Sequence, residues 1–270
     1  MNTKWVGRQT VRMETVDSTN EEMKRYASQG AGSGALIVAK RQTAGKGRRG
    51  RSWESREGDS LLMSALLRPD ILPEQSAMLT IVTALAVCQG IERIREEVSV
   101  QVPKSKEAAA LTAPQIKWPN DIILGTRKVC GILVEMMLEQ TGCFYVVIGI
   151  GVNVNNQEFS GELSGKATSL QREWGYPVDR EELMFRIWQE FDPLYDRFLQ
   201  DGDLRGLQRA YEARLVNRNR QVQVFFPGGE QKGTAKGIDS RGRLLLKQDS
   251  GETLLIDAGE VSVRGICGYV

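Results

Sequence analysis

Between Gln42 and Trp53 the chain reads Gln-Thr-Ala-Gly-Lys-Gly-Arg-Arg-Gly-Arg-Ser-Trp, in which Gly45, Gly47 and Gly50 alternate with the cations Lys46, Arg48, Arg49 and Arg51. Glycine lets the backbone bend and brings N–H groups close to a ligand. Arginine offers a planar, permanently charged fork that fits carboxylate or phosphate oxygens. This is the pattern of a loop that closes over an anion. It matches Gly-x-Gly-x-x-Gly, but a dinucleotide fingerprint needs a helix to start there. Polar residues and the strand-like run Ser60 to Leu67 follow instead. A Walker loop fails as well, because no Ser or Thr follows Gly45-Lys46. Taken alone, the stretch would read as a solvated basic turn; the rest of the chain gives it meaning.

The chemistry open to this chain is bounded by one absence: its 270 residues include no histidine. Ser-His-Asp and Cys-His catalysis are excluded, together with imidazole zinc sites. The four cysteines, at 88, 130, 143 and 267, form no Cys-x-x-Cys pair and read as reduced thiols. Reaction chemistry must therefore run on Lys, Arg, carboxylates, backbone donors or the substrate's own groups. Net charge is only +2, from 36 basic and 34 acidic residues, so the positive charge that matters is local. The opening ten residues are polar, and the longest apolar run, Met78 to Cys88, suits a buried helix better than a bilayer span. A cytoplasmic enzyme without membrane association is expected.

Several elements must hold these groups. Val11 to Val16 alternates like a strand, and Asp17-Ser18-Thr19-Asn20-Glu21-Glu22 has the pattern of a capping box opening a helix to about Gly30. Ser18 or Thr19 would cap that helix, or its start would bind a polar ligand; either reading fits. Ala35 to Ala39 enters the basic loop as a core strand, and Ser60 to Leu67 leaves it as another. Pro73 opens a long helix to about Ile94, whose Gly90 and β-branched residues make packing its main support. The charged, alanine-rich stretch 96–113 reads as a surface insertion, partly helical from Lys104 to Leu111. Lys117-Trp118-Pro119-Asn120-Asp121 bends between two strands, and Lys128 stands at the entry of the next. In Ile148-Gly149-Ile150-Gly151-Val152-Asn153 two glycines share one strand face, which suggests close approach by a ligand or another backbone. Asp179 to Gln200 is amphipathic, with Leu183, Ile187, Phe191, Leu194 and Phe198 at helical spacing, and Leu204 to Leu215 resembles it. From Gln221 onward, five short alternating runs divided by Gly-containing turns imply a small antiparallel barrel packed on the main domain.

These motifs resemble, in their order, those of the biotin protein ligases. The resemblance rests on Asp17-Ser18-Thr19-Asn20, the Gly45 to Arg51 loop, Lys117 to Asp121, Lys128 with Gly131-Ile132-Leu133-Val134-Glu135, and Gly149 to Asn153. It implies an α/β (α+β) catalytic domain with a mixed sheet, related to class II aminoacyl-tRNA synthetases, over residues 1–218. An SH3-like β-barrel would occupy 219–270. The implied activity is ATP-dependent activation of biotin to biotinyl-5'-AMP, then transfer to a lysine of an apo biotin carboxyl carrier protein of the acetyl-CoA carboxylase type. The short segment before Ser18 resembles the ligase-only form, without a DNA-binding helix-turn-helix, and a homodimer is allowed.

The same resemblance assigns residues. Ser18, Thr19, Asn20, Gln42, Gly47, Arg48, Arg49, Lys128 and Gly131 would bind biotin. Arg48, Arg51, Trp53, Lys117, Asn120, Asp121 and Asn153 would bind ATP, with Mg²⁺ accompanying it and no dedicated metal site in the chain. Lys128, Arg48, Lys117 and Asp121 would carry catalysis, Asp121 either holding Mg²⁺ or receiving the incoming ammonium. Two rivals remain. A lipoate ligase shares the implied fold and adenylate chemistry but wants an apolar tunnel rather than the Ser-Thr-Asn and Gln42 cluster. A nucleic-acid-binding module would use the basic loop, yet Trp53 is the loop's one aromatic.

Overall fold

The computed structural model describes residues 3–53, 58–101, 111–139, 142–226, 228–259 and 261–265. The chain opens with β1 (Gln9–Val16), α1 (Thr19–Ser28) and β2 (Ala35–Gln42), and β1 pairs with β2 in parallel. Every other pairing in the large sheet is antiparallel. That sheet adds β3 (Ser60–Leu67), β4 (Pro114–Lys117), β5 (Asp121–Leu124), β6 (Arg127–Leu138) and β7 (Phe144–Asn153), in the order β1-β2-β3-β7-β6-β5-β4. The expected mixed sheet is present.

β3 is buried at all eight positions because both sheet faces are covered. On one face Met23 and Ala27 of α1 pack with Ile37, Leu66 and Val147. On the other lie α2 (Leu79–Gln101) and, after the short α3 (Leu170–Trp174), α4 (Arg180–Asp201) and α5 (Arg205–Arg214). A 3-10 turn, Pro73–Met78, precedes α2, so the proline opens a tighter turn rather than the α-helix itself. α2 then runs past the expected end at Ile94. By length and composition 73–100 could cross a membrane, but it is largely buried here as the core helix. A Cβ at Gly90 would lie 2.9 Å from Ile187 Cα, so glycine there lets α2 and α4 approach closely. The expected helix at Lys104 to Leu111 falls almost wholly outside the described residues. α4 buries Leu183, Ile187, Phe191 and Phe198 as its spacing predicts, and the Asp179 carboxylate caps it by accepting from the N–H groups of Glu181 and Glu182.

The C-terminal runs form β8 (Gln221–Phe226), β9 (Gly229–Ile238), β10 (Leu244–Lys247), β11 (Thr253–Ile256) and β12 (Ser262–Gly265), an antiparallel sheet in the order β11-β10-β9-β8-β12. Val222, Val224, Ala235, Ile238, Leu244 and Leu246 belong to the same apolar core as α2 and α4. So small a sheet buries too little surface to stand alone, and shared burial supplies the rest. Trp118, beside a cis peptide bond to Pro119, donates its indole N–H to the Gly242 carbonyl at 2.9 Å and ties β4 to this sheet.

Candidate active site

The site lies where α1, β3, β6 and β7 meet the basic loop. The backbone of Ser18 is extended, as at a helix N-cap, but its side chain makes no capping bond. The expected capping box does not form. Instead the N–H of Thr19, another free donor of the first helical turn, donates to Gln42 Oε1 of β2 at 2.7 Å. This leaves the Ser18, Thr19 and Asn20 side chains, all under 5% exposed, turned to a polar hollow.

The Thr19 hydroxyl lies 3.0 Å from Gln42 Oε1 and 2.8 Å from Ser64 Oγ. Ser64 Oγ is 2.6 Å from Asn20 Oδ1, while Asn20 Nδ2 donates to Glu135 Oε2 at 2.7 Å. Ser64 was not among the sequence candidates, and Glu135 stood there only as the end of the Gly131 to Glu135 motif, with no role assigned. Each carried a signal: Ser64 is a hydroxyl inside an eight-residue buried strand, and Glu135 is a carboxylate ending an apolar run. Glycines shape the floor. A methyl group at Gly149 would overlap Asn20 Oδ1, and one at Gly151 would lie 2.6 Å from Trp53 Cε2. The expected close approach is therefore made by side chains of the site itself.

Over this floor stands a small hairpin. Lys46 bridges Ser52, Trp53 N–H donates to Gly45 O at 2.8 Å, and the turn at Arg48–Gly50 places Arg49 at φ 60. That left-handed backbone is costly for a residue with a Cβ, and such strain gathers at functional loops. Arg48 Nη1 donates to Asn120 Oδ1 at 2.9 Å, and its Nη2 reaches the carbonyls of Ala258 and Gly259 in the C-terminal sheet. Burial pulls its pKa below the usual arginine range. Lys46 pairs with Glu21 at 2.8 Å, an anchor the sequence did not indicate.

Lys128 stands 2.6 Å from Asp121 and 5.4 Å from the centre of the Trp53 ring. Burial brings the Lys117 ammonium down to about 7, against a partial counter-effect from Asp121. The predicted residues thus divide. Ser18, Thr19, Asn20, Gln42, Gly47, Arg48, Trp53, Asn120, Lys128 and Gly131 line one hollow. Arg49 and Arg51 line an adjoining one with Phe225, Ser262 and Arg264 of the C-terminal sheet. Arg49 is therefore grouped with the second hollow rather than with the pocket assigned to biotin. Asn153 lies apart from both hollows: it is buried and donates to the Thr168 carbonyl at 3.1 Å, the strand-end role its position allows.

The first hollow has a volume of about 50 Å³. Ligand pockets begin near roughly 300 Å³. Trp53 rests on Gly131 and Gly151, and its indole N–H is buried with no acceptor among the described residues. A buried unpaired donor of this kind costs about 1–3 kcal/mol. The floor, by contrast, has its polar side chains joined by hydrogen bonds. The arrangement suits a neutral polar ring at the floor and anionic groups under the hairpin cations.

Residues 13–153 match the Biotin/lipoate A/B protein ligase family, and residues 219–264 match the Biotin protein ligase C terminal domain. The Bifunctional ligase/repressor BirA of Bacillus subtilis is 35% identical over 253 residues, covering 93% of this chain and 73% of that protein. The Biotin--[acetyl-CoA-carboxylase] ligase of Paracoccus denitrificans is 33% identical over 255 residues, covering 92% and 98%. A solved structure of biotin protein ligase from Aquifex aeolicus in complex with biotin and ATP superposes with a TM-score of 0.78 at 27% identity, covering 96% of this chain and 100% of that one.

Proposed function

This chain belongs to the biotin/lipoate A/B protein ligase family, and from that premise we propose that it activates biotin with ATP and transfers it to a lysine of a biotin carboxyl carrier protein. The observation that carries the reading is the union of a hydrogen-bonding floor with a cationic roof in one hollow. Thr19, Asn20 and Gln42 suit the ureido ring, and Lys128 with Arg48 suits the carboxylate and the phosphate it attacks.

The chemistry needs no enzyme nucleophile, which fits a chain without histidine. A carboxylate oxygen of biotin attacks the α-phosphorus of ATP, the bond to the bridging oxygen breaks, and pyrophosphate leaves. The protein brings two anions together and stabilises charge growing on the phosphate oxygens. Lys128, Arg48 and Lys117 serve the reacting end, and Arg49, Arg51 and Asn120 the nucleotide. Mg²⁺ would arrive with the triphosphate and offset its charge. Asp121 holds the Lys128 ammonium until the carboxylate displaces it. In the second step the carrier's amine attacks the acyl carbon, the anhydride bond breaks, and AMP departs. Until then the hairpin from Lys46 to Ser52 keeps water from the anhydride, closing as the ligands bind. We place the division between catalytic and C-terminal units at 218/219, beside the left-handed turn residue Asn219.

Exchange of labelled pyrophosphate into ATP tests the reading. Dependence on biotin, with lipoate inactive, supports it; exchange driven by lipoate alone overturns it. The buried polar floor disfavours lipoate, whose dithiolane ring has no N–H to offer. Nucleic-acid binding would show as a salt-sensitive gel shift.

A further inference from the structure

We propose that Glu135 is a positioning residue that fixes the hydrogen-bond polarity of the vitamin pocket, and so selects a ring that donates an N–H. The inference rests on the biotin reading above. Glu135 does not line the hollow; it acts through Asn20 behind the floor.

The argument is one of proton direction. A carboxamide has a donor end and an acceptor end, and an ionised carboxylate only accepts. With Glu135 Oε2 2.7 Å from Asn20 Nδ2, the donor end of Asn20 must face Glu135, and a second N–H points to the Leu133 carbonyl at 3.4 Å. A flipped amide would set two acceptors against each other. The acceptor end, Oδ1, is thereby turned to Ser64, whose single proton must answer it across 2.6 Å. Ser64 then cannot donate to Thr19, so the single Thr19 proton is shared between Ser64 Oγ at 2.8 Å and Gln42 Oε1 at 3.0 Å, with Thr19 the donor to both. Gln42 Oε1 already accepts from the Thr19 N–H at 2.7 Å. The chain runs Thr19 to Ser64 to Asn20 to Glu135, and Thr19 Oγ is left with lone pairs toward the hollow. A cyclic urea can donate there; a dithiolane cannot.

The carboxylate is itself held. Its Oε1 accepts from Lys24 Nζ at 2.7 Å, and Lys24 also reaches Glu21 at 2.8 Å. This second layer keeps the first from relaxing. Glu135→Gln keeps size and shape but carries one acceptor for two neighbours. Lys24 takes the oxygen, the amide nitrogen faces Asn20, and the chain reverses.

The test is steady-state pyrophosphate exchange by the parent, Glu135→Gln, Asn20→Ala and the double variant, with biotin binding followed by calorimetry. Glu135→Gln should raise KM and Kd for biotin about tenfold, the scale of one charged hydrogen bond. KM for ATP, and kcat at saturating biotin, should move less than about twofold. In the Asn20→Ala background the same substitution should add nothing, because Glu135 works through Asn20. Unchanged biotin KM in Glu135→Gln, additive losses in the double variant, or an equal decline for both substrates would each overturn the proposal. A parent without biotin-dependent exchange would overturn the function instead, which keeps the two failures distinct.

Discussion

The floor and the roof of the active-site hollow are built on opposite principles. In the floor, Thr19, Asn20 and Ser64 are nearly inaccessible, and their hydrogen bonds interlock with Gln42 and Glu135. The roof is a seven-residue hairpin with a left-handed arginine, flanked by Trp53, whose indole N–H has no acceptor among the described residues, and anchored to two backbone carbonyls some two hundred residues away in the sequence. The difference separates two tasks. Recognition of a neutral ring needs dipoles whose directions are settled beforehand, since reorienting them would cost binding energy. Delivery of charge to anions needs groups that can leave, admit the ligands and return.

That contrast can be broken at four points. Lys128→Ala removes a cation at the reacting end and should lower kcat/KM for pyrophosphate exchange by on the order of 10²–10³, about 2–4 kcal/mol. Near-parent turnover would take Lys128 out of the mechanism. Gly149→Ala forces a methyl group onto Asn20 Oδ1, and overpacking of this kind costs about 1–3 kcal/mol. Thermal unfolding should register it, together with a weakened affinity for biotin measured by calorimetry. If the floor yields without loss, it is not rigid. Arg48→Gly cuts the roof from Asn120 and from the C-terminal sheet. We expect the adenylate to escape faster by about tenfold, the scale of one charged hydrogen bond, read as biotin transferred non-specifically to free amines. Retention equal to the parent's would end the idea of a lid.

The smallest effect concerns pH. Burial holds Lys117 at about 7 against its ordinary 10.5, so it is partly neutral at physiological pH. Between these values the unfolded chain binds more protons than the folded one, so stability from this group rises with pH across that window. Below about 7 both states are protonated and the burial penalty is fully present. Lys117→Met should flatten that slope in denaturant titrations. Phosphates prefer the ammonium, so the KM for ATP should climb a few-fold between pH 7 and 8, and nucleotide binding should take up a proton. Binding enthalpies that are the same in buffers of different ionisation heat would refute the assignment.

How much of this was legible beforehand varies by residue. The strands and helices were, because alternation and helical spacing record which faces are buried: α4 and the five C-terminal strands lie within a few residues of their expected places. The basic loop and Lys128 were legible by charge and glycine content. Ser64 and Glu135 were not, since a lone serine or glutamate in a strand is ambiguous until a partner faces it. Nor was the division between Arg48 and its neighbours Arg49 and Arg51, which depends on which way a three-residue turn points each side chain. The supposed cap at Ser18 failed for the same reason: which group faces the first turn of α1 depends on tertiary packing, and Gln42, 23 residues away from Thr19, is the one that accepts there.

By itself the sequence determined the order of elements, the lack of an imidazole and the local run of cations, and so that any chemistry runs without histidine. Those features are local, set by side-chain type and by periodicity along the backbone. Only the tertiary structure decided the direction of the hydrogen bonds in the floor and the anchoring of Arg48 on the far sheet. A hydrogen bond's direction depends on which groups face each other, and β3, β6 and α1 meet only when the sheet is assembled.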